Sequence, residues 1–163
     1  DGLFERYDLQ LDLPEAYRFG EPYLAPLVLG LDEHESYGVA ILEGGVIVQI
    51  SQGRQPCWRL NAHSGWSELA WRVRETVRTG WYYRVLQPGI IEPGSALSLA
   101  ERPQPDWTVA RVMRAMLAQE IDKEQLADIA AIAELSEGWK QTCRKRIASN
   151  QPEDWRRRFS GPA

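Results

Sequence analysis

The sequence predicts a mainly antiparallel β barrel or sandwich that is followed by three short helices. Val46, Val48 and Ile50 recur at every second position, which is the period of a strand. Two Pro-Gly pairs, at 88–89 and 93–94, separate short apolar segments, and such turns are typical of antiparallel rather than parallel sheets. In the last third of the chain the apolar spacing changes to the pattern of amphipathic helices.

The strand at Val46 is expected to begin at the Gly44-Gly45 turn and to end in a loop that contains Gly53 and Pro56. This loop leads to Cys57. Two further strands are expected, over residues 81–86 and 96–100, because both segments are rich in aromatic or apolar side chains and lie beside turns.

One helix is expected within residues 67–79 of this first part. Leu69, Val73 and Val77 recur at a spacing of four, which places them on one helix face. Ser67 is placed to cap the start of this helix, and Gly80 is placed to stop it.

Residues 102–106 contain two prolines and are expected to form a stiff linker, because proline fixes its own backbone and restricts the residue before it. The predicted domains are therefore 1–102, the β domain, and 103–163, the three-helix domain. The helices should begin at Thr108, at Asp122 and at Ser136; Asp122 with Gln125 forms a capping box for the second.

Composition and charge exclude several classes of protein. The longest apolar runs fall well short of the ~18 residues of a membrane helix, and the first residues lack the pattern of a signal peptide. The net charge of −4 disfavours a general nucleic-acid binder. Residues 140–163 carry seven basic and two acidic side chains, which we interpret as a solvated helix face. Two cysteines suggest no disulfide framework and favour a reducing cytoplasm.

Cys57 is the cysteine with the better prospect of chemistry. It follows a Gly- and Pro-containing loop at the end of a predicted strand, and side chains in such positions often reach a cleft. Arg54 and Arg59 are close in sequence, and neighbouring positive charge favours a thiolate, which is both a metal ligand and a nucleophile. Cys143 instead lies one helical turn from Trp139 and is expected in the core.

Other motifs give little support to competing chemistry. A structural zinc site is disfavoured, because no CxxC motif is present and only His34 and His63 are available as histidine ligands. His63 lies six residues after Cys57, a spacing that by itself does not establish a Cys–His dyad. Neither a GxGxxG motif nor a Walker A loop occurs.

The residues do resemble those of a known family. The run Ile50-Ser-Gln-Gly-Arg-Gln-Pro-Cys-Trp-Arg-Leu-Asn61, the segment Thr79-Gly-Trp-Tyr-Tyr-Arg-Val85 with Gly89, and the stretch Leu29-Gly-Leu-Asp-Glu33 are similar to bacterial MOSC proteins of the YiiM-like group. The tail from Thr108 to Phe159, with Gly138-Trp139, resembles the three-helix extension of the same group. The resemblance covers roughly residues 24–160.

The resemblance implies a MOSC-type β barrel that holds a molybdenum cofactor, molybdopterin, with Cys57 ligating the metal. It also implies reduction of N-hydroxylated base analogues such as 6-hydroxylaminopurine to the amine. Arg54 and Arg59 would then bind the cofactor's phosphate through bidentate guanidinium contacts, and Ser51 and Asn61 would orient it. An external, flavoprotein-like electron donor is implied as well, since the sequence shows no flavin or haem motif of its own.

The sequence departs from the family pattern before Leu29, where a Gly-Glu-Asn segment is absent, as is an earlier His-Gly-Gly segment. We therefore expect a β domain that is incomplete on its N-terminal side. Because the expected strands are too few to close a barrel, we also expect a spatial break between Ala25 and Leu29, where the family segment is absent. Two alternatives remain at this stage: a sulfur carrier that bears a Cys57 persulfide, and a binding module with a helix-turn-helix-like tail. The oligomeric state is left open.

Overall fold

A computed structural model describes residues 36–42, 44–91 and 95–161 of the chain. The described strands form one four-stranded sheet in the order β3-β2-β1-β4, and every pairing is antiparallel. The antiparallel arrangement confirms the predicted strand class, whereas closure of this sheet into a barrel stays a prediction. The strands are β1 (Ser36–Leu42), β2 (Val46–Gly53), β3 (Trp81–Gln87) and β4 (Leu97–Thr108).

The described residues also form six helices. Two short helices lie between β2 and β3, and the other four follow β4. They are α1 (Trp58–Ser64), α2 (Leu69–Thr76), α3 (Val109–Leu117), α4 (Lys123–Ala131), α5 (Glu137–Ser149) and α6 (Arg156–Ser160).

The β1–β2 hairpin follows directly from the sequence. Gly44 and Gly45 have φ angles of 92° and 79°, a left-handed conformation that glycine adopts without a steric penalty. Val46, Val48 and Ile50 are then buried on one face of β2, as the two-residue period predicts. The predicted strand is confirmed, and it runs through to Gly53.

The predicted linker over residues 102–106 is wrong, because these residues lie inside β4. Pro103 and Pro105 are tolerated there because β4 is an edge strand that pairs only with β1 among the described strands. The β1–β4 register shifts between Tyr37, paired with Gln104, and Val39, paired with Glu101. Such bulges absorb residues that cannot donate to the ladder.

The region between β2 and β3 contains one helix that was expected and one that was not. α2 falls within the predicted range, but its N-cap residue is Glu68 rather than Ser67, and it ends at Thr76, ahead of Gly80. Val77 takes the left-handed C-cap position, with φ of 60°. The sequence interpretation missed α1 because its seven residues are too few to show a clear period.

The three helices predicted for the tail are confirmed, as are their starts. The Thr108 side chain accepts a hydrogen bond from the Arg111 backbone N–H, and Asp122 accepts one from Gln125. Ser136 is the N-cap residue of α5, and Trp139 and Cys143 are buried in the same core. The short helix α6 is an additional element after these three.

The sheet and the tail helices share a hydrophobic core. Buried residues of the sheet, including Tyr37, Ile50 and Trp81, belong to the same cluster as those of α3, α4 and α5. β2 and α3 pack closely at Gly53, because a Cβ at this position would collide with Met113 Sδ. The division into 1–102 and 103–163 stays a prediction, since β4 crosses it and the core spans both sides.

Two further expectations concern a chain break and membrane-spanning helices. The predicted break between Ala25 and Leu29 lies outside the described residues. In the ranges that are described, none of the helices has both the length and the apolar character needed to cross a membrane.

Candidate thiolate site

Cys57 lies where the loop after β2 turns into α1. It is the N-cap residue of that helix, with an extended backbone at φ −151° and ψ 167°. Its thiol is free and half-buried, so it is reachable from solvent without being fully exposed. The Cys57 carbonyl accepts a hydrogen bond of 3.0 Å from the Leu60 N–H, which closes the first turn of α1.

The loop that carries Cys57 is held at three points. At its start, the Arg54 N–H donates to the Gly80 carbonyl at 2.9 Å, which ties the loop to the beginning of β3. At its centre, Pro56 is almost fully buried. Just before the thiol, the Arg158 guanidinium of α6 donates to the carbonyls of Pro56 and Gln55 at 3.1 and 3.3 Å. The thiol therefore sits on a restrained segment.

Ser51 and Asn61, both predicted to orient a cofactor, have structural partners. The buried Ser51 hydroxyl donates to the Tyr82 carbonyl at 3.1 Å, which links β2 to β3. Asn61 accepts a hydrogen bond of 2.7 Å from the Ala70 N–H through its side-chain oxygen, which joins α1 to the start of α2. Both side chains thus bond to the protein backbone, and their role in orienting a cofactor stays a prediction.

The two predicted phosphate-binding arginines lie on either side of Cys57. Arg54 is half-buried at the end of β2, and Arg59 is exposed on α1, with its guanidinium 5.8 Å from the ring centroid of Trp58. A guanidinium that stacks on an aromatic ring keeps donors available for an anion. Arg59 is thus the more accessible of the two charges.

Cys143 has a different environment. It is fully buried on α5, and its sulfur lies 3.6 Å from Met116 Sδ. Burial raises the pKa of the Cys143 thiol to about 11, and the nearby Arg146 only partly opposes this effect. Its predicted place in the core is confirmed, and the thiol is neutral at physiological pH.

The sequence interpretation missed two arginines that connect the tail to its surroundings. Arg158 holds the Cys57 loop, and Arg146 is buried beneath the end of α3. Arg146 could have been found by spacing, because it lies seven residues after Trp139 and three after Cys143, on the same helix face. Arg158 gave no such signal, since its partners lie about a hundred residues earlier in the chain.

The described residues contain no group of three or more His, Cys, Asp or Glu side chains that could hold a metal ion. A thiolate is a soft ligand, and it suits metals that soft donors select.

Comparison with known proteins identifies the family. The MOSC domain profile matches residues 27–98, and the profile described as "YiiM-like, 3-alpha helix domain" matches residues 107–150. Protein YiiM of Escherichia coli (strain K12) is 33% identical over 153 residues, which are 93% of this chain and 66% of that protein. The chain belongs to the MOSC-domain family, in its YiiM-like group.

Solved structures of this group have the same fold. The crystal structure of YiiM from Escherichia coli superposes with a TM-score of 0.74 at 34% identity, covering 81% of this chain and 66% of that one.

A protein named "Reductase" from Gibberella moniliformis (strain M3125 / FGSC 7600) is 39% identical over 83 residues, which are 51% of this chain and 15% of that protein. This MOSC chain spans slightly less than two thirds of the YiiM proteins that it matches.

Proposed function

We propose that this protein binds the molybdenum cofactor through Cys57 and is an oxidoreductase that reduces N-hydroxylated substrates. In the reaction the N–O bond of a hydroxylamine breaks, two electrons and two protons are taken up, and an amine and water are formed. Substrates such as 6-hydroxylaminopurine belong to this class. A Gibberella protein named Reductase, of which this chain matches 15%, supports a redox activity.

One observation carries this proposal: a free, half-buried cysteine lies on a restrained loop in a chain of the MOSC family. The donor chemistry fits the cofactor. Cys57 supplies one soft sulfur ligand, and Arg54 and Arg59, which flank it in the sequence, supply positive charge for an anionic phosphate. The alternative thiol, Cys143, is excluded from this role by its complete burial.

When bound, the cofactor supplies the two-electron redox chemistry. The residues of this chain bind and orient it. Cys57 would hold the metal from a fixed backbone position, because the loop before it is anchored to β3 and to α6. Arg59 and Arg54 would hold the phosphate. The Ser51 and Asn61 hydrogen bonds fix β2, which ends one residue before Arg54, and α1, which carries Arg59.

The proposal includes a partner and a location. A reductase needs a source of electrons, and an external, flavoprotein-like donor would supply them in the cytoplasm.

The activity is tested with chemically reduced methyl viologen as the electron donor and 6-hydroxylaminopurine as the substrate. The full chain loaded with cofactor is compared with its Cys57→Ser and Cys143→Ser variants. We expect Cys57→Ser to lower the rate of amine formation at least ~100-fold, since even changes next to metal ligands cost about 10–100-fold. We expect Cys143→Ser to retain most of the activity. Equal activity in wild type and Cys57→Ser would refute the proposal.

A further inference from the structure

The C-terminal helix α6 touches the loop that carries Cys57. Arg158 donates from Nε to the Pro56 carbonyl and from a terminal nitrogen to the Gln55 carbonyl, at 3.1 and 3.3 Å. One planar guanidinium thus spans two consecutive carbonyls with two of its nitrogens, a fixed fork that the compact ammonium of lysine does not reproduce. Both carbonyls belong to the two residues that immediately precede Cys57.

The rest of this C-terminal segment packs against the two helices that follow Cys57. Phe159 stacks on Trp71 of α2, with ring centroids 4.4 Å apart. Gly161 has a φ of 87° and lies against Trp58, the residue after Cys57; a Cβ at Gly161 would be 3.2 Å from that ring. The segment therefore contacts the chain on both sides of the thiol.

We propose that Arg158 is a positioning residue that fixes the Cys57 loop and so couples the C-terminal helical region to the thiolate site. It does not touch the thiol itself in this arrangement; it acts through the Gln55 and Pro56 carbonyls. Pro56 is nearly fully buried, so release of these carbonyls would free the loop from the outside while its inner side stays packed. A role of Arg158 in catalysis rests on the proposed function, whereas its effect on the position of the Cys57 thiol does not.

The test measures the rate at which iodoacetamide alkylates Cys57, with peptide mass spectrometry to assign the label. The full chain is compared with Arg158→Gln, Arg158→Lys and Arg156→Gln; Arg156 is an exposed arginine of the same helix. We expect Arg158→Gln to raise the Cys57 rate roughly three- to ten-fold, since it removes two partly exposed hydrogen bonds from a charged donor. Arg158→Lys should give an intermediate rate, and Arg156→Gln should match wild type.

Cys143 serves as the internal control for folding, because it is fully buried. A faster Cys57 rate with Cys143 still protected supports the proposal. If Arg158→Gln labels both thiols together, Arg158→Lys decides: a raised Cys57 rate with protected Cys143 supports the proposal, and a wild-type rate overturns it. An unchanged or slower Cys57 rate in a folded Arg158→Gln variant also overturns it. Because no cofactor or substrate enters this experiment, its failure is distinct from failure of the proposed reductase activity.

Discussion

Arg146 is buried to 1% exposure, although it belongs to a basic segment that the sequence presented as a solvated helix face. Its guanidinium donates to the carbonyls of Ala115, Met116 and Ala118 at 3.0, 2.8 and 2.5 Å. These carbonyls end α3 and have no further turn to accept from. A cation at a helix C-terminus also complements the helix dipole. Net charge along a sequence could not separate this side chain from its exposed neighbours, whereas helical spacing could.

Replacement of Arg146 by Met keeps the length of the side chain and removes all of these donors. We expect the free energy of unfolding to fall by about 3 kcal/mol, because buried carbonyls lose their partners. Arg144→Met is the matched control: Arg144 is 58% exposed and pairs with Glu137, and exposed ion pairs contribute at most ~1 kcal/mol. Urea denaturation of both variants measures the difference, and similar losses in the two would contradict this role for Arg146.

The two cysteines should differ in reactivity for reasons that belong to each residue. The Cys57 thiol is half-buried on a loop, whereas the Cys143 thiol is fully buried and burial raises its pKa to about 11. At pH 8 an aqueous thiol reagent should therefore modify Cys57 well before Cys143. Time-resolved mass spectrometry of the native chain checks the order. Modification of Cys143 first would be incompatible with both assignments.

At the scale of elements, local signals predicted the regular parts of the fold and failed where tertiary pairing decided the outcome. The Gly44-Gly45 hairpin and the caps at Thr108 and Asp122 are set by neighbours in sequence, and they were predicted correctly. The two prolines of β4 suggested a linker, but pairing with β1 keeps this segment in the sheet. β1 and β4 lie about seventy residues apart in the sequence, and the apolar period of one segment does not indicate such a distant partner.

Gly53 tests how closely β2 and α3 pack. A methyl group at this position would collide with Met113, which is itself fully buried. We expect Gly53→Ala to lower the free energy of unfolding by about 1–3 kcal/mol through overpacking. Gly138→Ala is the control: a Cβ there meets nothing within 4 Å, and alanine is favoured over glycine by at most ~1 kcal/mol in the first turn of a helix.

Thermal or urea unfolding of the two glycine variants should thus move in opposite directions. A Gly53→Ala variant as stable as wild type would mean that β2 and α3 are separated by more space than the structure gives them. The same residue bears on the site, since Gly53 ends the strand that leads to the Cys57 loop.

At the scale of the molecule, the tail helices contact both the sheet and the loop that leads to Cys57. Ser136, which starts α5, donates from its backbone N–H to the Ser51 carbonyl at 2.8 Å and from its hydroxyl to Gln52 at 2.5 Å. Arg158 of α6 then holds the loop that follows. The sequence interpretation placed the helices correctly and treated them as a separate domain. Long-range contacts of this kind could not be derived from composition or period.

The candidate site was predictable only where it depends on local sequence signals. Cys57 and its flanking arginines could be singled out because their positions relative to a strand end are local properties. The hydrogen bonds of Ser51 and Asn61 could not be predicted, because the fold brings each partner close. Ser51 bonds to Tyr82 in β3, and Asn61 bonds to Ala70 in α2. The proposed cofactor set accordingly centres on Cys57, Arg54 and Arg59.

The molybdenum and pterin content of the purified full chain tests the central claim most directly. The account predicts both components in proportion to the protein, their loss or strong depletion in Cys57→Ser, and their retention in Cys143→Ser. Thermal unfolding of both variants verifies that they are folded. Molybdenum that is absent from the wild type under conditions of full cofactor supply, or that is bound equally by Cys57→Ser, would contradict the account. A persulfide on Cys57 without molybdenum would instead support a sulfur carrier.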